Sequence, residues 1–315
     1  MDTLLTVRIR SLINSAEGVR SYELVALDDQ PLPAFSAGAH IDLHLPSGLV
    51  RQYSLWNNPQ ETHRYCIAVL RDPASRGGSV EVHERLQEGD TLTISAPRNH
   101  FPLQDGGCVR LLAGGIGITP ILAMAHQLLQ QERDFELHYC FRSPQQAALL
   151  DQFQQPALAA RSQLHCSQNG TRMDAAAVLA SPAADEQLYI CGSQAFIDQM
   201  LATAHIAGWD ESQLHREYFN ADVSTSGDSF EVRVGDRSFR VGPEQTVAEV
   251  LEANGLPVAV SCGKGICGSC LTKVVEGEPD HRDLYLTEEE QAANDLFTPC
   301  CSRARSAYLV LDLQG

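Results

Sequence analysis

The chain has 315 residues, 43% of them hydrophobic, and its 40 Asp and Glu against 23 Lys and Arg give a formal net charge of −17. That length predicts about two or three domains, each able to bury its own core. No run is apolar for long enough to cross a bilayer, and so acidic a surface argues against nucleic acid, whose phosphates need a basic footprint.

The opening MDTLLTVRIRSL lacks the basic, apolar and small-residue succession of a secretory signal. Leu5, Val7 and Ile9 alternate there with Thr6, Arg8 and Arg10, as in a strand. A cytoplasmic protein with no membrane partner is expected. HIDLHLPSG then alternates and turns at Pro46, Ser47 and Gly48, and RQYSLWN, RYCIAVLR and DTLTISAP follow at short spacing. Many short strands with turns between them predict an antiparallel barrel or sandwich.

Near residue 107 the pattern changes. VRLLAGG is a short buried strand ending in glycines, and PILAMAHQLLQQ has helical periodicity with Pro120 as its first residue. FELHYCF and QLYICG are further apolar strands, separated by helical stretches such as SQAFIDQMLATAHIAG. Strands alternating with helices predict a parallel sheet. The polar, aperiodic stretch NADVSTSGDS reads as a linker. Beyond it, FEVRV and RSFRV flank a Gly235-Asp236 hairpin turn. Thr246 with Glu249 and Thr287 with Glu290 have capping-box spacing. With the closing strand YLVLDL these elements make a compact α+β module of about ninety residues, within the usual domain range.

Three motifs carry chemistry. Arg51-Gln52-Tyr53-Ser54 lies on a predicted strand, with Arg51 and Tyr53 on one face. A guanidinium there can grip phosphate bidentately while the aromatic ring flanks a flat isoalloxazine. Arg76-Gly77-Gly78-Ser79 offers bare N–H groups and a hydroxyl where a helix is expected to start. Ala113-Gly114-Gly115-Ile116-Gly117-Ile118-Thr119-Pro120 joins a strand to a helix, where a dinucleotide pyrophosphate would lie, although it is not a full G-x-G-x-x-G. Each alone reads more readily as an ordinary strand or turn; their order along the chain favours a flavin and a nicotinamide.

Of ten cysteines, five are scattered (Cys66, Cys108, Cys140, Cys166, Cys191) and five fall between 262 and 301. Scattered cysteines in strand-like runs are core fillers. Cys262, Cys267 and Cys270 have the C-x4-C-x2-C spacing of a plant-type [2Fe–2S] ferredoxin, with a further ligand distant in the chain. A structural zinc is the alternative four-thiolate site, but zinc folds use paired Cys elbows rather than one loop with interleaved glycines. Spacing leaves the fourth ligand open between Cys300 and Cys301.

Together RQYSL, RGGS, PRNHFPL, AGGIGITP, CGSQ, SCGKGICGSC, DHRDL and CCSRARS resemble the ferredoxin–NADP reductase superfamily and, within it, the phthalate dioxygenase reductase family with its vanillate O-demethylase reductases. The resemblance spans nearly the whole chain. It implies an FMN-binding antiparallel β-barrel over 1–103, a nicotinamide α/β domain with a parallel sheet over 104–223, and a β-grasp ferredoxin domain over 224–315. It places Arg51, Tyr53, Ser54, Gly78 and Ser79 on the flavin, with Arg76 and Gly77 in the same cradle, and Thr119 beside both flavin and nicotinamide. Cys191 and Gly192 would approach the nicotinamide and Phe219 the flavin, so Thr119, Cys191 and Phe219 are the expected catalytic residues; Cys300 would complete the cluster. Ser193 stands where many relatives have proline. FMN over FAD, and NADH over NADPH, are also implied by the resemblance; Arg142-Ser143 leaves a 2′-phosphate open. The implied chemistry is hydride transfer from NADH to flavin N5, then single electrons to the cluster and on to a terminal oxygenase of Rieske type acting on an aromatic acid, with the reductase a monomer. A stand-alone flavin or acceptor reductase and a redox-sensing binding module are the alternatives.

Overall fold

A computed structural model of the chain describes residues 3–28, 30–72, 77–220 and 223–313, so Arg76 lies outside the described residues. The chain divides into two compact units, Met1–Phe219 and Asn220–Gly315.

The first unit begins with six antiparallel strands: β1 (Leu4–Ala16), β2 (Val19–Ala26), β3 (His40–His44), β4 (Val50–Ser54), β5 (Tyr65–Leu70) and β6 (Thr91–Ser95), in the order β4-β3-β6-β1-β2-β5. The ends meet where Leu55 bridges Ile67 and the Trp56 N–H donates to the Cys66 carbonyl at 3.0 Å. That closure into a barrel removes the open edges that invite foreign strands. Val7 and Ile9 point inward as their alternation predicts, onto Tyr22, Leu24, Ile41, Leu43 and Ile94.

A parallel sheet follows: β7 (Val109–Gly114), β8 (Phe135–Phe141), β9 (Ser162–Cys166), β10 (Gln187–Gly192) and β11 (Leu214–Tyr218), in the order β11-β10-β7-β8-β9. The helix Ile118–Gln130 buries Ile121, Leu122, Met124 and Leu128 against Leu111, Leu137 and Tyr139. Pro120 is its third residue, not its first, because a 3-10 turn over Gly115–Gly117 leads into the helix earlier than the apolar period indicates. The position is still harmless, since the first four helical N–H groups have no intrahelical acceptor. The helix Gln194–Ala207 starts at Ser193, whose hydroxyl accepts from the Phe196 N–H at 3.3 Å. The residue that departs from the family pattern is thus an effective N-cap.

The second unit holds β12 (Phe230–Val234), β13 (Arg237–Val241), β14 (Thr272–Glu276), β15 (Pro279–Asp280), β16 (Leu296–Phe297), β17 (Arg303–Ala304) and β18 (Tyr308–Asp312). Five form a mixed sheet ordered β13-β12-β18-β14-β16, and β15 pairs with β17. The β12–β13 hairpin turns at Gly235-Asp236, with Val234 opposite Arg237, and β18 runs parallel to β12. Both capping boxes form, at Thr246 and Thr287. Between β13 and β14, the helix Val247–Ala253 sets Val247, Val250 and Leu251 on Phe230, Val232 and Leu309. A barrel, a parallel α/β sheet and an α+β module therefore follow one another as expected.

Candidate functional site

The first cluster of functional side chains forms where β4 leaves the barrel. Gly77, left-handed at φ +89°, turns the chain into the helix Gly78–Arg85. Arg51 crosses Gly78 so closely that a Cβ there would lie 2.7 Å from its Cγ and 2.9 Å from its Cδ, and nearer still to Nε. Only glycine lets the guanidinium lie across a helix N-terminus, and the two together concentrate positive potential of the kind that suits an anion. The Ser79 hydroxyl accepts from the Asp72 N–H at 3.1 Å. Tyr53 packs half-buried on the barrel core. From Arg51 to Ser54 the strand advances roughly 10 Å at about 3.3 Å per residue, a span suited to a flavin's phosphate at one end and its ring at the other. The donors and the glycine-floored cradle fit a flavin phosphate.

Ser54 leads into the second cluster. Its hydroxyl donates to Glu217 Oε2 at 3.4 Å, and Glu217 sits on β11 directly beside Cys191 of β10. Cys191 is fully buried, and burial followed by the neighbouring Glu217 carboxyl pushes its thiol well above the usual range. Burial also pushes the Glu217 carboxyl up to about 8, against a lowering contribution from the Ser54 hydroxyl. Glu217 is a site residue that sequence reasoning missed: EYFNA shows an unremarkable strand-end glutamate, and only strand pairing sets it on Cys191 and Ser54. Phe219 lies partly buried against the core of the same unit.

The glycine loop reaches this junction from the other side. A Cβ on Gly117 would meet the Gly192 nitrogen at 2.6 Å and the Cys191 carbonyl closer still; one on Gly114 would meet the Phe196 ring at 2.9 Å. Gly114, Gly117, Cys191 and Gly192 therefore come together at the C-terminal edge of the parallel sheet, where open α/β sheets bind ligands. Gly115 turns in the left-handed region at φ +56°. Thr119 is buried and its hydroxyl donates to the Ile116 carbonyl at 3.1 Å, and Pro120 is buried beside it. Arg142 is exposed one residue beyond β8, its carbonyl accepting from the Gln168 N–H at 2.9 Å. It is set apart from the Ser54–Cys191–Glu217 group, since β7 lies between β8 and the β10 strand of Cys191.

In the second unit, Gly263, Gly265 and Gly268 are all left-handed, at φ +64°, +67° and +66°. Gly265 and Gly268 are also sterically required, since Cβ atoms there would meet Asp283 Cβ at 2.8 Å and the Tyr285 ring at 2.6 Å. The loop so wound turns Cys267 and Cys270 inward with Cys300, all buried, while Cys262 is half-buried. Cys262 neighbours both Cys267 and Cys300, and Cys300 neighbours Cys270, at hydrogen-bonding range. Among the described residues no three of His, Cys, Asp or Glu close on a single metal ion; four converging thiols with a backbone N–H, that of Lys264, donating to Cys262 Sγ at 3.3 Å fit an iron–sulfur cluster. Cys301 also lies within hydrogen-bonding range of Cys300, and its Sγ is 3.3 Å from the Thr298 hydroxyl, beside Ser302.

Comparison with known proteins bears on each unit. Residues 231–305 match the 2Fe-2S iron-sulfur cluster binding domain and residues 111–201 the oxidoreductase NAD-binding domain. The first match settles the choice between iron–sulfur and zinc. A vanillate O-demethylase oxidoreductase of a Pseudomonas strain is 51% identical over 98% of this chain and 100% of its own. The structure of phthalate dioxygenase reductase, described as a modular structure for electron transfer from pyridine nucleotides to [2Fe–2S], is 36% identical, with a TM-score of 0.77 and 98% of both chains covered. An intact type IV self-sufficient cytochrome P450 monooxygenase is also 36% identical, with a TM-score of 0.85, over 98% of this chain and 41% of that one.

Proposed function

Because the chain belongs to the phthalate dioxygenase reductase family, we propose that it is the reductase of a two-component aromatic oxygenase, delivering electrons from NADH to an O-demethylase acting on a methoxylated aromatic acid such as vanillate. It is an NADH-dependent oxidoreductase with a [2Fe–2S] domain; the partner, the flavin's identity and the residue roles are the proposal. The observation that carries it is one chain holding a phosphate cradle at Arg51 and Gly78, a buried junction at Ser54, Cys191 and Glu217, and four converging thiols.

A bound flavin would supply the conversion from a two-electron hydride donor to a one-electron acceptor. Arg51 holds the FMN phosphate with the N–H groups of Gly77, Gly78 and Ser79, and Arg76 belongs to the same sequence motif. Tyr53 flanks the ring and Ser54 reaches its edge. Glu217, its carboxyl raised to about 8, keeps a proton at neutral pH and so places no full negative charge beside the hydride path. Thr119, Cys191 and Phe219 border that path, while Gly114, Gly115, Gly117, Pro120 and Gly192 keep room for the dinucleotide. Arg142 lies toward its adenosine end. Cys262, Cys267, Cys270 and Cys300 ligate the cluster.

The working domain limits are 1–103, 104–223 and 224–315. The protein is taken as cytoplasmic and monomeric; that its cysteines form no disulfide among the described residues suits a reducing compartment. Among the described residues no helix is long and apolar enough to cross a membrane. The test is extraction and iron analysis of protein purified without oxygen, then stoichiometric NADH, then a purified vanillate O-demethylase oxygenase. FMN, two irons per chain, bleaching by NADH and vanillate turnover are expected; zinc without iron, or no flavin, would sink the electron chain, and bleaching without turnover would sink the partner.

A further inference from the structure

Residues 223–229 have no regular secondary structure, yet the carbonyls of 224–228 are not left to water. Arg282 Nη1 donates to the Ser224 and Ser226 carbonyls, both at 2.7 Å, while its Nε and Nη2 bind Asp280 Oδ2, each at 2.8 Å. Arg303, 2% exposed, takes the intervening and following carbonyls: Thr225 at 2.7 Å, Gly227 at 3.4 Å and Asp228 at 2.9 Å. It also holds Gln245 at 2.8 Å and Gly242 at 3.0 Å, and the Gly227 N–H donates to the Pro243 carbonyl at 2.9 Å. Five consecutive carbonyls, 224 to 228, are thus satisfied by two guanidiniums. Gly227 makes room for both, since a Cβ there would stand 3.0 Å from Arg303 Nε and 3.1 Å from Arg282 Nη2.

The fastening leads to the cluster. Val223, immediately before the first clamped carbonyl, packs half-buried on Cys270, Cys300 and Cys301. Lys264 of the cysteine loop donates to the Asn220 side-chain oxygen on the other side of Val223. A segment whose composition reads as free tether is therefore laid against thiols proposed as cluster ligands.

We infer that this segment is part of the cluster's own shell: Val223 shields the cluster from water, and Arg282 and Arg303 are positioning residues that seat it. This rests on the cluster reading above. Solvent access is among the factors that set iron–sulfur potentials. One-electron reduction adds a negative charge that water stabilises, so the apolar cover favours the oxidised form and opening it raises the potential.

The experiment is reductive titration of the full chain, followed by the EPR signal of the reduced cluster and by flavin absorbance, with iron counted in every sample. Val223→Ser opens the cover without changing charge. Arg282→Lys keeps its charge but loses the two-carbonyl grip, which a point ammonium does not reproduce. Both are expected to retain two irons and to favour the reduced cluster about tenfold at a fixed potential, a rise of about 59 mV for a one-electron couple. Flavin titration should stay put, and Val223→Ile should match the parent. Variants with intact iron that titrate at the parent's potential would overturn the inference. A parent chain without iron would overturn it one step earlier, together with the cluster reading. Should Arg282→Lys fold poorly, Val223→Ser decides alone, since that side chain is only half-buried.

Discussion

Replacing Gly78 with alanine tests the flavin cradle with one methyl group. Gly78 is the first residue of an eight-residue helix and is not among the glycines held in the left-handed region. Alanine there suits the backbone and by itself adds about 0.4–1 kcal/mol of stability. Its Cβ, however, would fall within 2.7–2.9 Å of Arg51 Cγ and Cδ, closer than carbon atoms pack. Arg51 is a long side chain on the rim of β4, so the guanidinium gives way rather than the helix. Losing a charge-assisted contact to phosphate costs about 1.5–3 kcal/mol, which at about 1.4 kcal/mol per decade is roughly ten- to 150-fold in FMN affinity. Flavin-free protein titrated with FMN by fluorescence quenching gives that number, and its melting temperature should equal or exceed the parent's. An unchanged dissociation constant in a folded Gly78→Ala chain would refute the cradle. Unfolding would refute the assignment of the clash to a yielding side chain.

Gly117→Ala should behave oppositely, because its Cβ would strike the Cys191–Gly192 backbone, which cannot rotate away. Overpacking of this kind costs about 1–3 kcal/mol, read as a lower denaturation midpoint together with slower NADH oxidation. Glu217→Gln should change the pH profile of stability in flavin-free protein. Its carboxyl lies raised to about 8 from 4.5, so its contribution is fully present below about 4.5, declines above it and is lost through about 8. The parent should lose stability relative to Glu217→Gln across that window; parallel profiles would remove the buried acid from the account. Cys300→Ser should lose the cluster while Cys301→Ser keeps two irons per chain. The Cys300 thiol lies within hydrogen-bonding range of Cys262 and Cys270 as well as Cys301, whereas Cys301 meets the group through Cys300 and is also held by Thr298 and Ser302. Iron retained in the first and lost in the second would reverse the fourth ligand.

Much of the fold was legible because its signals are local. Period-two alternation in the opening strand, the Gly235-Asp236 turn, two capping boxes and the shift to strand–helix alternation near 107 all read correctly within windows of a few residues. The cysteine loop was legible for the same reason: its three glycines and three cysteines lie within ten residues, and the glycines allow the left-handed turns that the structure shows. Pro120 shows the limit of such windows. The apolar period begins at Pro120, but the preceding Gly-Ile-Gly turn already supplies helical geometry, so the true start precedes the hydrophobic stripe.

What stayed hidden depends on pairs far apart in the chain. Ser54 and Glu217 are 163 positions apart, and no periodicity sets one against the other until the barrel closes and β11 docks beside β10. The segment 223–229 is the sharper case. Absence of helical or strand period reads as freedom, yet a backbone needs only partners for its carbonyls, and these need not be backbone N–H groups. Here they are Arg282 and Arg303, about 55–80 residues away in the chain, inside DHRDL and CCSRARS. Those strings served only as family likeness in the sequence, with no physical task attached to their arginines. Both motifs flank cluster-site residues: Asp283, beside Arg282, accepts from the Ser302 hydroxyl at 3.2 Å, and Ser302 joins Cys301 to Arg303. An arginine that clamps the linker is thus bonded through one or two residues to the wall of the thiol loop, so displacing the linker and loosening the cluster's surroundings are one perturbation.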